Sequence, residues 1–293
     1  MHYGMWRARG RHLDCGGIRV FAFDTGAPGG RRDAPVLVIL HGYPTSSLDF
    51  ESVLPSLADH FRVILHDHPG FGLSEKPVEY SYSLMEQAEI AAMLWTQLGI
   101  QRAHLLAHDY GTSVATELLA RRERLGLPIH FESVTLCNGS VHIELAHLSP
   151  IQRLLANSSA GPLLVKVNMK KVFRRQMAGI WGQADTLSDD IIDAMWEDLC
   201  SDHGLERLPA VSGYLHERKR FWYRWIGALT RLDLPVHVLW GNKDPIAVPD
   251  IALRLANEIP NARLTWLEGV GHYPMIEAPE LFSDAVVGYC QSV

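Results

Sequence analysis

Hydrophobic positions along the 293 residues fall into short unbroken runs separated by longer periodic ones. Pro35 to Leu40 is a continuous apolar run of strand length, the pattern of a strand buried on both faces of a parallel sheet. Phe61 to His66, Phe131 to Cys137 and Pro235 to Trp240 repeat it, and Arg263 to Leu267 is a further strand. Between them the apolar spacing becomes helical: Ser46 to Leu57, Leu84 to Leu98, Ser113 to Ala120, Val248 to Ile259 and Glu280 to Tyr289. Leu13 to Asp24 reads as a hairpin turning at Gly16-Gly17. Strand alternating with helix predicts an α/β protein with a mostly parallel, doubly wound sheet.

From about Val141 to Leu229 the pattern changes. Helical runs continue, with Ser188-Asp189-Asp190 as a capping-like start, but no buried strand interrupts them. Large aromatics accumulate at Trp181, Trp196, Tyr214, Phe221, Trp222, Tyr223 and Trp225. The expected organisation is a core of residues 1–140 and 230–293 carrying a helical cap, 141–229. The cap would sit above the C-terminal strand ends, where such sheets place ligands.

Composition narrows the classes. With 47% hydrophobic and 20% charged residues, the chain reads as globular. A net charge of −6 leaves no electrostatic footprint for nucleic acid. The basic clusters Lys170-Lys171, Arg174-Arg175 and Arg218-Lys219-Arg220 read as solvated helix faces. Four scattered cysteines, Cys15, Cys137, Cys200 and Cys290, form no metal-ligand spacing and imply reduced thiols. Met1 to His12 has no apolar core of a secretory signal, and no run is long enough to span a bilayer. A cytoplasmic location follows as an expectation. No cofactor and no metal are implied, and a homodimer is left open.

The chemistry concentrates at strand ends. Ala103-His104-Leu105 leads into Leu106-Ala107-His108-Asp109-Tyr110-Gly111-Thr112, and a helical run follows at once. Strand, sharp turn and helix with a reactive side chain at the apex is a nucleophile elbow. Serine usually stands there; here it is Asp109. A carboxylate can attack an sp³ carbon bearing a leaving group, leaving an alkyl ester that water must cleave. An Asp beside a Gly is also ordinary turn chemistry. The rest of the machinery decides between them. His272, in Gly269-Val270-Gly271-His272-Tyr273-Pro274 after the last strand, is where a base is required in the order nucleophile, acid, histidine. Asp244, after the strand ending at Trp240, is its natural partner. The rival acid position holds Asn138, and an amide carries no charge. An oxyanion site needs two amides: Tyr110, after the nucleophile, and Tyr43 in His41-Gly42-Tyr43-Pro44.

His41-Gly42-Tyr43-Pro44, Asp67 to Ser74, His108-Asp109-Tyr110-Gly111 and Gly271-His272 together resemble the epoxide hydrolase and haloalkane dehalogenase branch of the α/β-hydrolase fold. Arg218 to Phe221, Arg224 to Leu229 and His272-Tyr273-Pro274 look more narrowly like mesoderm-specific-transcript-like hydrolases. The resemblance implies a small apolar organic substrate and assigns His41, Tyr43 and Tyr110 to the oxyanion and substrate region. It also weighs the leaving group. Haloalkane dehalogenases resemble one another in placing a Trp after the nucleophile and an amide in the HGxP loop; Tyr110 and Tyr43 stand at those places. An alkoxide needs an acid, and epoxide hydrolases use cap tyrosines. Tyr214 and Tyr223 are the cap acid candidates, although neither aligns with the family's pair and Trp196 stands near one expected place. Epoxide hydrolysis is the leading expectation, with dehalogenation second. A non-catalytic hydrolase-fold binding protein is the rival from another class.

Overall fold

The computed structural model describes residues 3–31, 33–157, 161 and 169–293. The apolar runs form strands. β1 (Arg11–Cys15) and β2 (Ile18–Asp24) make the hairpin, turning at Gly16 and Gly17 with φ of 68° and 87°, angles that favour glycine. β3 (Val36–Leu40), β4 (Arg62–His66), β5 (Arg102–His108), β6 (His130–Cys137), β7 (Val236–Gly241) and β8 (Ala262–Leu267) follow. Their order in the sheet is β1-β2-β4-β3-β5-β6-β7-β8. β1–β2 and β2–β4 pair antiparallel; the other neighbours are parallel. The central strands are buried on both faces: Val38, Ile39, Leu106, Val134, Leu136 and Val238 have no measurable exposure.

Helices cover both faces. α1 (Tyr3–Arg9) lies where the sequence pattern gave only a polar N-terminus. One residue explains it: Trp6 is fully buried and stacks on Phe23, ring centroids 4.9 Å apart. Ser46 to Leu57 is not one helix. It divides into a 3-10 turn, Ser47–Phe50, and a short α2, Leu54–Ala58, with Pro55 placed where only a first turn tolerates it. α3 (Leu84–Gln97) and α4 (Tyr110–Leu125) follow, the first capped by the Ser83 hydroxyl on the Met85 amide.

Between β6 and β7 the chain leaves the sheet and forms helices: α5 (Pro150–Leu155), α6 (Met169–Ile180), α7 (Asp189–Cys200), α8 (Gly204–Val211) and α9 (Tyr214–Leu229). Ser188 caps α7 through the Ile191 amide, as its sequence implied. Residues 158–160 and 162–168 of the expected cap lie outside the described residues. α9 packs along α4. Glu117, 1% exposed, accepts from Arg224 Nε (2.8 Å) and Nη2 (2.9 Å), Trp225 Nε1 (2.8 Å) and Arg121 Nε (2.9 Å). α10 (Pro249–Glu258), α11 (Pro274–Glu277) and α12 (Pro279–Cys290) complete the chain. Among the described residues no helix is long and apolar enough to cross a membrane. The four cysteines are unpaired.

Candidate active site

The elbow forms as its sequence requires. β5 ends at His108, α4 begins at Tyr110, and Asp109 between them takes φ 41° and ψ −107°. A side chain with a Cβ avoids that region, at a cost of roughly 1–3 kcal/mol, so the surroundings must hold it. They do so through the backbone. The Asp109 amide donates to Cys137 O (3.1 Å), and Asp109 O accepts from the Thr112 amide (3.1 Å), Thr112 Oγ1 (2.6 Å) and Arg218 Nη2 (3.2 Å). Gly111 is needed for close approach: a Cβ there would sit 2.4 Å from Leu40 O.

The Asp109 carboxylate is buried. Its Oδ2 accepts from the Tyr43 amide at 3.0 Å and lies 3.9 Å from His272 Nε2. His272 Nδ1 donates to Asp244 Oδ2 at 2.6 Å. The other Asp244 oxygen accepts from the Ile246 (2.8 Å) and Ala247 (3.0 Å) amides. The structure therefore joins Asp109, His272 and Asp244, three residues spread over 164 positions, at the C-terminal ends of β5, β7 and β8. Asn138 stands beside this line. Its Nδ2 donates to Asp244 Oδ2 at 2.8 Å and its Oδ1 accepts from the Gly241 amide at 3.0 Å. The residue passed over as an acid thus fixes the acid.

Glu277, which no sequence signal had marked, holds the loop bearing His272. It accepts from the Gly271 (3.0 Å), Tyr273 (3.1 Å), Gly182 (2.8 Å) and Gln183 (3.3 Å) amides, tying that loop to the end of α6. Burial pulls the His272 pKa down. The Asp244 charge and hydrogen bond, with further help from Asp109 and Glu277, outweigh burial and push it up to about 9. That balance favours the imidazolium form of His272 at neutral pH.

Three expectations need correction. Tyr223 is 60% exposed on the outer face of α9. It lies nine residues after Tyr214, which turns it half a revolution away. Tyr214, 2% exposed, is the cap tyrosine on the site side, its ring 5.5 Å from Tyr43 and 5.0 Å from Tyr110. Burial foremost, then the Asp109 charge, raises its pKa well above 10, so its phenol stays protonated. His41 is fully buried, and both of its ring nitrogens are spent on backbone groups. Its Nδ1 donates to Gly42 O (2.9 Å) and its Nε2 accepts from the His68 amide (2.9 Å), pinning two loops together. The Tyr110 side chain is buried against His68, Phe71 and Tyr214, and among the described residues the Tyr43 amide is the one hydrogen-bond donor to the resting carboxylate.

The third correction is the basic run 218–220. Lys219 and Arg220 are exposed, but Arg218 is completely buried beside Asp109. The signal was helical phase: Arg218 shares a face with Tyr214 and Trp225, at i, i+4 and i+11. The clusters at 170–171 and 174–175 are exposed, as their sequence implied.

An apolar pocket under the insert reaches this site. Leu155, Phe173, Met177, Trp196 and Ile246 line it, with Tyr43 and His272 where it meets the core. Among the described residues no group of three or more His, Cys, Asp or Glu side chains could hold a metal ion.

An eight-stranded, mostly parallel sheet with a helical insert, and an acidic elbow residue aligned with a histidine and a second acid, define the class: the chain belongs to the α/β-hydrolase fold family. Residues 35–157 match the family description "alpha/beta hydrolase fold". The hydrolase named LipZ of Mycobacterium tuberculosis is 39% identical over 283 residues, 96% of this chain and 96% of that protein. The mesoderm-specific transcript homolog protein of Homo sapiens is 32% identical over 294 residues, 98% of this chain and 87% of that protein. Among solved structures, the epoxide hydrolase CorEH superposes with a TM-score of 0.80 at 20% identity, covering 97% of this chain and 98% of that one. The haloalkane dehalogenase DbeA from Bradyrhizobium elkani gives 0.80 at 24%, covering 97% of each. At such identities the superpositions speak for the fold.

Proposed function

We propose that the protein is a hydrolase that works through a covalent Asp109 ester, and that its substrates are small apolar epoxides, converted to vicinal diols. One observation carries the reading: a buried carboxylate at an elbow apex, with an oxygen 3.9 Å from a histidine that is itself held by a second carboxylate. In the first half-reaction a carboxylate oxygen attacks a ring carbon and the C–O bond of the epoxide breaks. Tyr214 supplies the proton to the alkoxide. In the second, His272 takes a proton from water, which adds to the ester carbon of Asp109. Asp244 holds the imidazole with Nδ1 protonated and stabilises its charge. The Tyr43 amide faces one carboxyl oxygen throughout. These residues are the complete set that a binding protein would not need.

The choice of epoxide over halide rests on the donors in reach. Tyr43 spends its own hydroxyl on Ser212 Oγ at 3.0 Å, since Ser212 in turn donates to Leu208 O. Trp181 and Trp225 spend their indole N–H groups on Thr186 and Glu117. The buried phenol of Tyr214 is left as an acid. Trp196 lines the pocket, which makes haloalkanes the second class to examine. A panel of terminal epoxides, haloalkanes and esters, scored with wild type and Tyr214→Phe, tests the assignment. Epoxide turnover in the wild type should fall at least ~100-fold in Tyr214→Phe, because the alkoxide would leave unprotonated. Hydrolysis of a preformed ester should be unaffected. Full epoxide turnover by Tyr214→Phe, or turnover of haloalkanes alone, would remove the epoxide reading.

The raised His272 pKa has a kinetic consequence. Its proton must leave before it can act as a base, and esterification of Asp109 removes one of the charges holding it. The ester-hydrolysis rate should therefore rise with pH, with a midpoint below the value of about 9 expected of the free enzyme. In Asp244→Asn the midpoint should drop further and the plateau fall. Single-turnover decay of the alkyl-enzyme at successive pH values measures both; a rate falling with pH would contradict the base role.

A further inference from the structure

A cation with no path to water stands behind the nucleophile. Arg218 reaches inward from α9, and its guanidinium carbon lies 4.5 Å from the centre of the Tyr214 ring. Its Nε donates to Ser113 Oγ at 2.6 Å and Nη1 to Ser140 Oγ. Nη2 donates to Asp109 O at 3.2 Å and lies 3.8 Å from Asp109 Oδ1. Four residues fix the group, which is completely buried. A buried guanidinium is expensive to desolvate, so its partners must compensate for the water it loses.

We propose that Arg218 is an electrostatic positioning residue that serves the second half-reaction, by polarising the Asp109 ester toward water. This rests on the ester mechanism above. The carboxyl group of Asp109 carries one negative charge when free, none as an ester, and one again when water has added. A fixed cation beside it favours the first and third states over the second. In alkylation the carboxylate charge passes to the leaving oxygen, so Arg218 opposes that step. In hydrolysis an O–H bond of water breaks and its proton goes to His272 Nε2. The new C–O bond forms at the Asp109 carboxyl carbon, and the displaced π pair moves onto the carboxyl oxygen. Collapse then breaks the bond to the substrate oxygen, which takes the proton from His272; the proton left on the Asp109 carboxyl returns to the Tyr214 phenolate formed in the first half-reaction, and both groups are restored. Arg218 lowers the barrier to that sequence. It also adds a positive charge to a site where, among the described residues, the Tyr43 amide is the one hydrogen-bond donor to the resting carboxylate. Because the guanidinium is already immobilised, nothing reorganises as the charge appears.

The two half-reactions should respond in opposite directions, which packing alone cannot produce. The probe is para-nitrophenyl glycidyl ether, with rapid-quench intact mass following the alkyl-enzyme in wild type, Arg218→Gln and Arg218→Lys. In Arg218→Gln the alkylation rate should hold or rise, while ester hydrolysis falls roughly tenfold or more, so the alkyl-enzyme accumulates. Arg218→Lys, which keeps the charge, should recover part of the hydrolysis rate. Equal slowing of both steps, with Lys no better than Gln, would reduce Arg218 to a bolt between insert and core. If Arg218→Gln does not fold, Arg218→Lys decides alone: hydrolysis slowed with alkylation intact supports the role, and parallel loss overturns it. Absence of any adduct on Asp109 in the wild type and in His272→Gln would overturn the ester mechanism, and this inference with it; the arms without an Arg218 substitution show that separately.

Discussion

Asp109→Ala should abolish turnover, by on the order of 10⁴-fold or more, because no other group in the site can form the ester. A sharper result is expected from the wild type. In one turnover in heavy-oxygen water, the label should enter the peptide containing Asp109 and be missing from the product. On the proposed ester mechanism the first product takes its new oxygen from the carboxylate, and water only restores the carboxylate afterwards. Label in the first product would mean that water attacks the substrate directly, with Asp109 and His272 merely activating it. The variant alone cannot separate those mechanisms, since both need the carboxylate.

His272→Gln should divide the reaction in two. Its Nε2 lies 3.9 Å from the Asp109 carboxylate, within reach of a water adding to the ester carbon. His108 is not a substitute. Its Nε2 donates to His272 O at 2.7 Å, and burial above all, reinforced by the His272 charge, pushes its pKa down to about 4. Alkylation of Asp109 should proceed while ester hydrolysis falls on the order of 10²- to 10⁴-fold. Intact mass should then show a stable adduct, equal to the protein plus one substrate. A variant that turns over at the wild-type rate would require another base.

The parts of the site that were legible in the sequence lie at the ends of strands. Asp109, Asp244 and His272 each follow an apolar run whose length and flanking glycines mark where a parallel strand stops. The sheet brings the following loops together whatever the connections do. The insert was legible as helical, but its chemistry was not. Tyr214 and Tyr223 look equivalent in a string of letters and are opposite on a helix, as burial of one and 60% exposure of the other show. Arg218 was hidden by Lys219 and Arg220, which made a buried charge resemble the start of a solvated run. Its position on the face that also carries Tyr214, Leu215 and Trp225 was the cue, and the phase of α9 was the information needed to use it. Glu277 could not be read at all, because its four partners are backbone amides and leave no side-chain signature. Trp6 gave no periodicity, being a single anchor in a polar helix.

The attachment of α9 to α4 bears on how this scaffold can be altered. Glu117 binds Arg224 and Trp225, and Ser113 binds Arg218, so both ends of the contact depend on side chains contributed by the helix that begins at the nucleophile. Tyr214 and Arg218 occupy the insert by sequence and the elbow by mechanics. A graft that exchanged the insert as a cassette between relatives would carry the Tyr214 phenol and the Arg218 guanidinium without their sockets. The transplantable unit is instead α9 together with α4 and Ser140, and specificity is best varied in α5 to α7, whose side chains line the pocket without bearing on the elbow.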